Sequence, residues 1–142
     1  MERREIGKEI IILSNQLKRR VDHIVASYGL TGVQSRVIRH IYEKSKVCDV
    51  YQKDIEDAFE IRRSSVTSVL QLLEKKGFIK RESVSEDARL KKLTLTEQGR
   101  KMHESVCNVI EEMEEGFYAA LTKEEMEQLF CSIEKLALLV KE

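Results

Sequence analysis

The fold is decided by residues 52–95, which run QKDIEDAFEIRRSSVTSVLQLLEKKGFIKRESVSEDARLKKLTL. Apolar spacing predicts a short helix over 52–59, a turn at 60–61, and a second helix over 62–76 that stops at Gly77. Two strands are predicted over 78–84 and 90–95, joined by a polar tip at 85–88. The stretch therefore predicts a helix-turn-helix followed by a β-hairpin.

Helices are predicted on both sides of this stretch. An apolar stripe at helical spacing marks a first helix that ends near Gly29: Ile6, Ile10, Leu13, Leu17, Val21, Ile24 and Tyr28. Thr31 and Gln34 have the spacing of a capping box and open a second helix, and residues 44–50 are predicted as a loop. Thr96 is expected to cap a long helix, and Thr122 with Glu125 opens a last one. The fold class is mainly α with a small β-hairpin wing.

Composition limits what the chain can be. Its 142 residues suit one domain, 35% of them are charged, and proline is absent, which favours long solvated helices. The three cysteines, Cys48, Cys107 and Cys131, form no CxxC pair, so neither a disulfide framework nor a thiolate zinc site is expected. No apolar run approaches the ~20 residues that span a bilayer, and no signal-peptide pattern is present. We expect a soluble, cytoplasmic protein.

Charge is segregated along a chain that is neutral overall, with 25 basic and 25 acidic residues. Residues 62–92 contain nine basic and four acidic side chains, whereas residues 104–142 contain three basic and ten acidic ones. This division indicates a basic working surface joined to an acidic part with another role, although chance clustering on solvated faces would give the same pattern.

The second helix of the helix-turn-helix carries the function. The major groove of B-DNA accepts one α-helix, and a preceding helix can brace it against the backbone. Val66, Val69, Leu70 and Leu73 are predicted to face inward. The predicted DNA contacts face outward, and they are Arg62, Arg63, Ser64, Ser65, Thr67 and Ser68.

The sequence resembles the MarR family of bacterial regulators. The resemblance lies in residues 55–59, 64–67, 72–79 and, most specifically, 86–99. The last segment has the family's wing signature, an Asp-x-Arg tip (Asp87 and Arg89) followed by a strand that ends in Leu-Thr-x-x-Gly. The length and element order of the whole chain also match the family.

The resemblance implies a homodimer bound to double-stranded DNA. Residues 31–96 would form the winged helix-turn-helix, and residues 1–30 and 97–142 a helical dimerisation region. Arg89 would enter the minor groove with Asp87 holding its guanidinium, and Lys91 would also contact DNA. A pseudo-palindromic operator, repression, and release by a small aromatic or amphipathic effector are implied as well. No motif identifies the residues of an effector pocket.

Two positions depart from the family pattern. Glu60 stands in the turn where a small residue is common, and Arg62 stands where a Ser or Thr cap is common. Either the second helix starts a residue or two later, with Ser64 as its cap, or Arg62 is kept for DNA contact. We favour the second interpretation.

Other functional classes have weaker support. The sequence has no nucleophile elbow, HExxH motif or glycine-rich phosphate loop, so we expect neither an enzyme nor a cofactor. His23, His40 and His103 have no metal-ligand spacing. Two alternatives stay open: a winged-helix module that binds protein instead of DNA, and a thiol-based redox sensor that uses Cys48. Cys107 and Cys131 are expected to be packing residues.

Overall fold

The computed structural model describes residues 2–84 and 90–141. In this part of the chain the helices and strands follow in the order α1 (Ile6–Ala26), α2 (Gly32–Lys44), β1 (Val50–Tyr51), α3 (Gln52–Phe59), α4 (Arg63–Lys75), β2 (Ile79–Ser83), β3 (Lys91–Leu95), α5 (Glu97–Ala120) and α6 (Lys123–Val140). The chain divides into two compact units, Met1–Cys107 and Asn108–Glu142. The predicted element order is confirmed, with one added strand.

That added strand is β1, which makes the sheet three-stranded. The strand order is β1-β3-β2, with Val50 opposite Leu93 and Arg81 opposite Leu93 on the other side of β3. The prediction that residues 44–50 form only a loop is therefore wrong at Val50. A strand of two residues is too short to show the alternation of apolar and polar side chains that marks a strand in sequence.

The corner between α1 and α2 is closed by hydrogen bonds. Thr31 and Gln34 form the predicted capping box, and the backbone N–H of Gly32 donates to Asp22 Oδ1 at 2.6 Å. Lys76, at the end of α4, donates to Gly29 O at 2.8 Å and to Gln34 Oε1 at 3.3 Å. These bonds connect α1, α2 and the end of α4. They also satisfy backbone N–H groups at the start of α2, which have no partner within the helix.

The core of the first unit lies among α2, α3, α4 and the sheet. Its largest fully buried side chains are Ile38, Ile41, Ile55, Leu70, Leu73, Ile79 and Leu93. Helix α4 contributes Val66, Leu70 and Leu73 as predicted, whereas Val69 is only half-buried. Burying this face of α4 leaves its opposite face free for solvent or a partner.

The backbone at the start of α5 lies close to the backbone just before β2. Thr96 Oγ1 accepts from Gly99 N at 3.0 Å, which confirms the predicted cap, and donates to Gly77 O at 2.6 Å. The backbone N–H of Thr96 also donates to Phe78 O at 3.0 Å. A Cβ added at Gly99 would overlap that same oxygen and lie 3.0 Å from the Phe78 carbonyl carbon. Glycine is required here by the close contact of two backbones.

Many apolar side chains are exposed on the first helix, α1, and on the last helix, α6. In α1 only Val21 and Val25 are buried, while Ile6 is 63% and Ile11 61% exposed. None of Lys123–Val140, all of which the structure describes, is buried, and the exposed side chains include Leu138 and Leu139. Helix α6 begins at the predicted Thr122–Glu125 capping box.

Cysteine packing differs between α5 and α6. Cys107 on α5 is half-buried, whereas Cys131 on α6 is exposed in the single chain, so a packing role for Cys131 stays a prediction. Within residues 2–84 and 90–141, no helix is long and apolar enough to cross a membrane.

Candidate nucleic-acid interface

The turn between α3 and α4 depends on a left-handed residue. Glu60 adopts φ 50° and ψ 45° at the end of α3, and its backbone N–H donates to Glu56 O. A residue with a Cβ adopts this conformation at a cost of roughly 1–2 kcal/mol, and only glycine avoids that cost. Ile61 N donates to the same oxygen at 3.3 Å, so the chain reverses direction within about two residues.

Helix α4 begins at Arg63, and Arg62 stands at its N-cap position in extended conformation. The Arg62 side chain makes no capping hydrogen bond, and Ser64 lies inside the first turn. Ser64 is therefore not the cap, although the helix does begin one residue later than the predicted residue 62. Because a guanidinium only donates hydrogen bonds, it cannot satisfy the free N–H groups of the first turn.

The outward face of α4 is basic and hydroxyl-rich, as predicted. Arg62, Arg63, Ser64, Ser65 and Ser68 are exposed, whereas Thr67 is half-buried. Ser68 Oγ donates to Ser64 O at 3.1 Å within the same helix.

Thr67 faces α3 and belongs to a small hydrogen-bond network. Its Oγ1 donates to Arg63 O at 2.9 Å and accepts from Gln52 Nε2 at 2.8 Å. The same amide nitrogen lies 3.4 Å from Arg63 O, to which it also donates. The sequence prediction did not include Gln52, because the bond depends on how the two helices cross.

A bidentate ion pair connects the β-hairpin to α4. Arg81 Nε and Nη2 donate to the two carboxylate oxygens of Glu74 at 3.2 and 3.1 Å. The side-chain hydrogen bond with Arg81 lowers the pKa of Glu74, and its counterpart raises the pKa of Arg81. This bidentate geometry fixes β2 relative to α4 better than a single contact would.

A basic cleft lies between α3, the start of α4 and the hairpin. It has a volume of about 350 Å³ and is lined by Tyr51, Gln52, Lys53, Glu56, Arg63, Arg81, Leu90, Lys91 and Leu93. Four of these side chains are cationic and Glu56 is the acidic one. A concave, positively charged surface concentrates the potential that attracts an anionic backbone.

The structure brings together some of the predicted contacts and not others. Arg63 and Lys91 line the basic cleft together. Lys53 and Arg81 also line it; neither was predicted from the sequence, because the separate elements that carry them converge only in the fold. Asp87 and Arg89, and the polar tip at 85–88, lie outside the described residues.

A second cleft of about 330 Å³ lies elsewhere in the first unit. It is lined by Ile41, Tyr42, Ser45, Lys46, Thr94, Leu95 and Arg100. Lys46 Nζ lies 4.2 Å from the centre of the Tyr42 ring, and the His103 ring is 4.2 Å from that ring, centroid to centroid. Burial, followed by the charge of Arg39, lowers the pKa of His103.

Two further expectations concern metal and thiol chemistry. Across the described ranges, no group of three or more His, Cys, Asp or Glu side chains could hold a metal ion. Cys48 is exposed in the loop before β1, next to Asp49, whose carboxylate lies 3.3 Å from Lys92 Nζ. A redox role for Cys48 stays a prediction.

The sequence is similar to those of known regulators. The family model described as "MarR family" matches residues 28–90. The HTH-type transcriptional regulator YdcH of Bacillus subtilis is 31% identical over 109 residues, which cover 76% of this chain and 74% of that protein.

Two solved structures show the fold. The transcription regulator MarR from Oenococcus oeni superposes with a TM-score of 0.79 at 30% identity, covering 93% of this chain and 98% of that one. The MepR–DNA complex of Staphylococcus aureus superposes with a TM-score of 0.89 at 24% identity, covering 98% of this chain and all of that one.

The helix-turn-helix, the three-stranded sheet and the hairpin together define a winged helix-turn-helix regulator. The matched proteins are transcription regulators of this architecture. The chain belongs to the MarR family.

Proposed function

We propose that this protein is a sequence-specific, double-stranded DNA-binding transcription regulator that works as a homodimer in the cytoplasm. The observation that carries the proposal is the proximity of the exposed face of α4 to the basic cleft, through Arg63, which belongs to both. A helix with exposed arginines and short hydroxyls suits base edges, and a basic cleft beside it suits phosphates. The related MepR has been seen bound to DNA, which supports the same role here.

Each predicted contact then has a role. Arg62, Arg63, Ser64, Ser65 and Ser68 would face the major groove, and Thr67 lies beside them in the network with Gln52. Lys91, together with Lys53, would neutralise phosphates. Arg89 would enter the minor groove with Asp87 holding it, a role assigned from the family's wing signature.

The dimer accounts for the open apolar surfaces. Residues 1–30 and 97–142 would form the dimerisation region, and residues 31–96 the DNA-binding region. The exposed apolar side chains of α1 and, separately, of α6 form surfaces of a kind that rarely stay uncovered on a monomer. Because a symmetric dimer presents two equal recognition helices, the operator would be a pseudo-palindrome with half-sites about one helical turn apart.

Repression by promoter occlusion, with release by a small-molecule effector, completes the proposal. The second cleft supports it, because about 330 Å³ is within the range that holds a small organic ligand. Apolar Ile41 and Leu95 and cationic Lys46 and Arg100 suit an amphipathic or aromatic anion. Thermal-shift screening of such compounds, followed by their addition to the protein–DNA complex, would identify the effector.

The central experiment is a DNA-binding titration by fluorescence anisotropy. Duplexes from the chain's own upstream region are compared with a scrambled duplex, and light scattering measures the oligomeric state. If the interface neutralises ~6–10 phosphates, affinity should fall by roughly 10³–10⁵ between 50 and 200 mM salt. Arg89→Ala and Arg63→Ala should each weaken binding and leave the dimer intact, while Arg36→Ala, an exposed arginine of α2, should change little.

Two results would refute parts of this proposal. A protein that binds no duplex at low ionic strength refutes the DNA-binding role and favours a winged-helix module that binds protein. A monomer in light scattering refutes the dimer.

A further inference from the structure

One amide side chain on α3 connects to the first turn of α4. Gln52 is the first residue of α3, and its Nε2 donates to Thr67 Oγ1 at 2.8 Å and to Arg63 O at 3.4 Å. Thr67 Oγ1 in turn donates to Arg63 O at 2.9 Å. Two side-chain donors, one from each helix, therefore meet at the Arg63 carbonyl.

This network lies where the orientation of α4 matters most. Arg63 is the first residue of α4, and its side chain lines the basic cleft. The remainder of α4 is held by the buried side chains Val66, Leu70 and Leu73. The apolar face fixes the position of the helix against the core, but apolar contacts are not directional. Hydrogen bonds are directional, so the bond from Gln52 Nε2 to Arg63 O adds a directional contact between α3 and the first turn of α4.

The network uses the hydrogen and one of the two acceptor lone pairs of the Thr67 hydroxyl. Its hydroxyl hydrogen is directed to Arg63 O, and its oxygen already accepts from Gln52. The side chain is half-buried, whereas Ser64, Ser65 and Ser68 are exposed. A hydroxyl that has donated its only hydrogen cannot also donate one to a base.

We propose that Gln52 is a positioning residue that sets the sequence specificity of α4, and that Thr67 acts through Gln52 and Arg63 instead of contacting a base. The inference rests on the proposed DNA-binding function. In physical terms, Gln52 holds the first turn of α4 at one rotation about the helix axis. The exposed side chains of that turn then reach the correct base edges. Phosphate contacts tolerate a small rotation because they carry no base information.

The test measures a specificity ratio, defined as the Kd for a scrambled duplex divided by the Kd for the operator duplex. Gln52→Met keeps the length of the side chain without its hydrogen bonds, and Thr67→Val keeps the shape without the hydroxyl. Each variant should lower the ratio about tenfold, the effect of one or two net hydrogen bonds on discrimination. The Kd for the scrambled duplex should stay within about twofold, and the salt dependence should be unchanged, because phosphate contacts supply non-specific binding.

Two further variants separate positioning from a purely structural role or a direct contact. Thr67→Ser keeps the hydroxyl and should restore a wild-type ratio, whereas a thymine contact through the Thr67 methyl group would be lost in the same variant. The double variant Gln52→Met/Thr67→Val should lower the ratio by less than the product of the two single effects, because both single variants remove the bond between Gln52 and Thr67. Additive losses would show two independent roles and would overturn the proposal.

The other outcomes of these measurements test the role of Gln52 and the proposed function separately. A fall in melting temperature with an unchanged specificity ratio would make the network purely structural and overturn the inference. Should Gln52→Met fail to fold, the Thr67→Val and Thr67→Ser pair gives the same decision. A wild-type ratio near one refutes the proposed function itself, whereas a high wild-type ratio that survives in the variants refutes only this inference.

Discussion

The close approach at Gly99 gives the sharpest stability prediction, tested by Gly99→Ala. An alanine Cβ would overlap Phe78 O and lie 3.0 Å from its carbonyl carbon and 3.2 Å from its Cα. All of these atoms belong to backbone, so no side chain can rotate away. Either α5 or the start of β2 has to move, and the bonds from Thr96 to Phe78 O and Gly77 O are then stretched.

The expected magnitude follows from three terms. Overpacking costs about 1–3 kcal/mol. Two weakened hydrogen bonds add about 0.5–1.5 kcal/mol each. Alanine recovers about 1 kcal/mol over glycine in a helix. The net loss in free energy of unfolding is about 1–5 kcal/mol, which corresponds to a fall in melting temperature of roughly 3–20 °C for a chain of this size.

Urea denaturation followed by circular dichroism, at one fixed protein concentration, measures the loss. Gly116→Ala is the matched control, since it lies in the same helix with nothing within 4 Å of an added Cβ. The control should be neutral or slightly more stable. If Gly99→Ala is as stable as the wild type, the two backbones are not in contact and the reasoning fails.

Three further outcomes are expected. Glu60→Gly should raise the free energy of unfolding by up to about 1 kcal/mol in urea titration, because Glu60 holds a φ of 50° that glycine adopts freely, and a loss would contradict this. The pKa of His103 is lowered mainly by burial, so the unfolded state protonates first as pH falls through about 6.5. Stability should then decline until the folded-state pKa is passed, and His103→Gln should flatten this decline in urea midpoints measured between pH 5 and 8; an unaltered pH profile would count against burial of the ring. Lys53→Ala should reduce the slope of log K against log salt by about 1.8, which is about 0.9 for each of the two Lys53 side chains in the dimer, and an unchanged slope removes Lys53 from the DNA interface.

Elements with strong local signals were predictable from the sequence. The capping boxes at Thr31 and Thr122 and the inward face of α4 appear as expected, because each depends on residues three or four apart. Strand β1 was missed because its only structural signal is pairing with Leu93, more than forty residues away.

The site was predictable in composition but not in arrangement. The exposed residues of α4 follow from helix periodicity around Val66 and Leu70. The basic cleft does not, since Lys53, Arg63 and Arg81 come from three elements whose convergence is a property of the fold. The same holds for the bond between Gln52 and Thr67, fifteen residues apart.

The pairing of Val50 with Leu93 also determines how the recognition segment could be exchanged. Val50 and Leu93, which bound residues 50–93, are paired on the adjacent strands β1 and β3, so the two ends of this segment lie about 4.8 Å apart, the spacing of neighbouring strands. A transplant between two such proteins therefore needs two splice points on one strand pair. The recipient's α2 and α5 can remain untouched, provided that residue 99 stays a glycine.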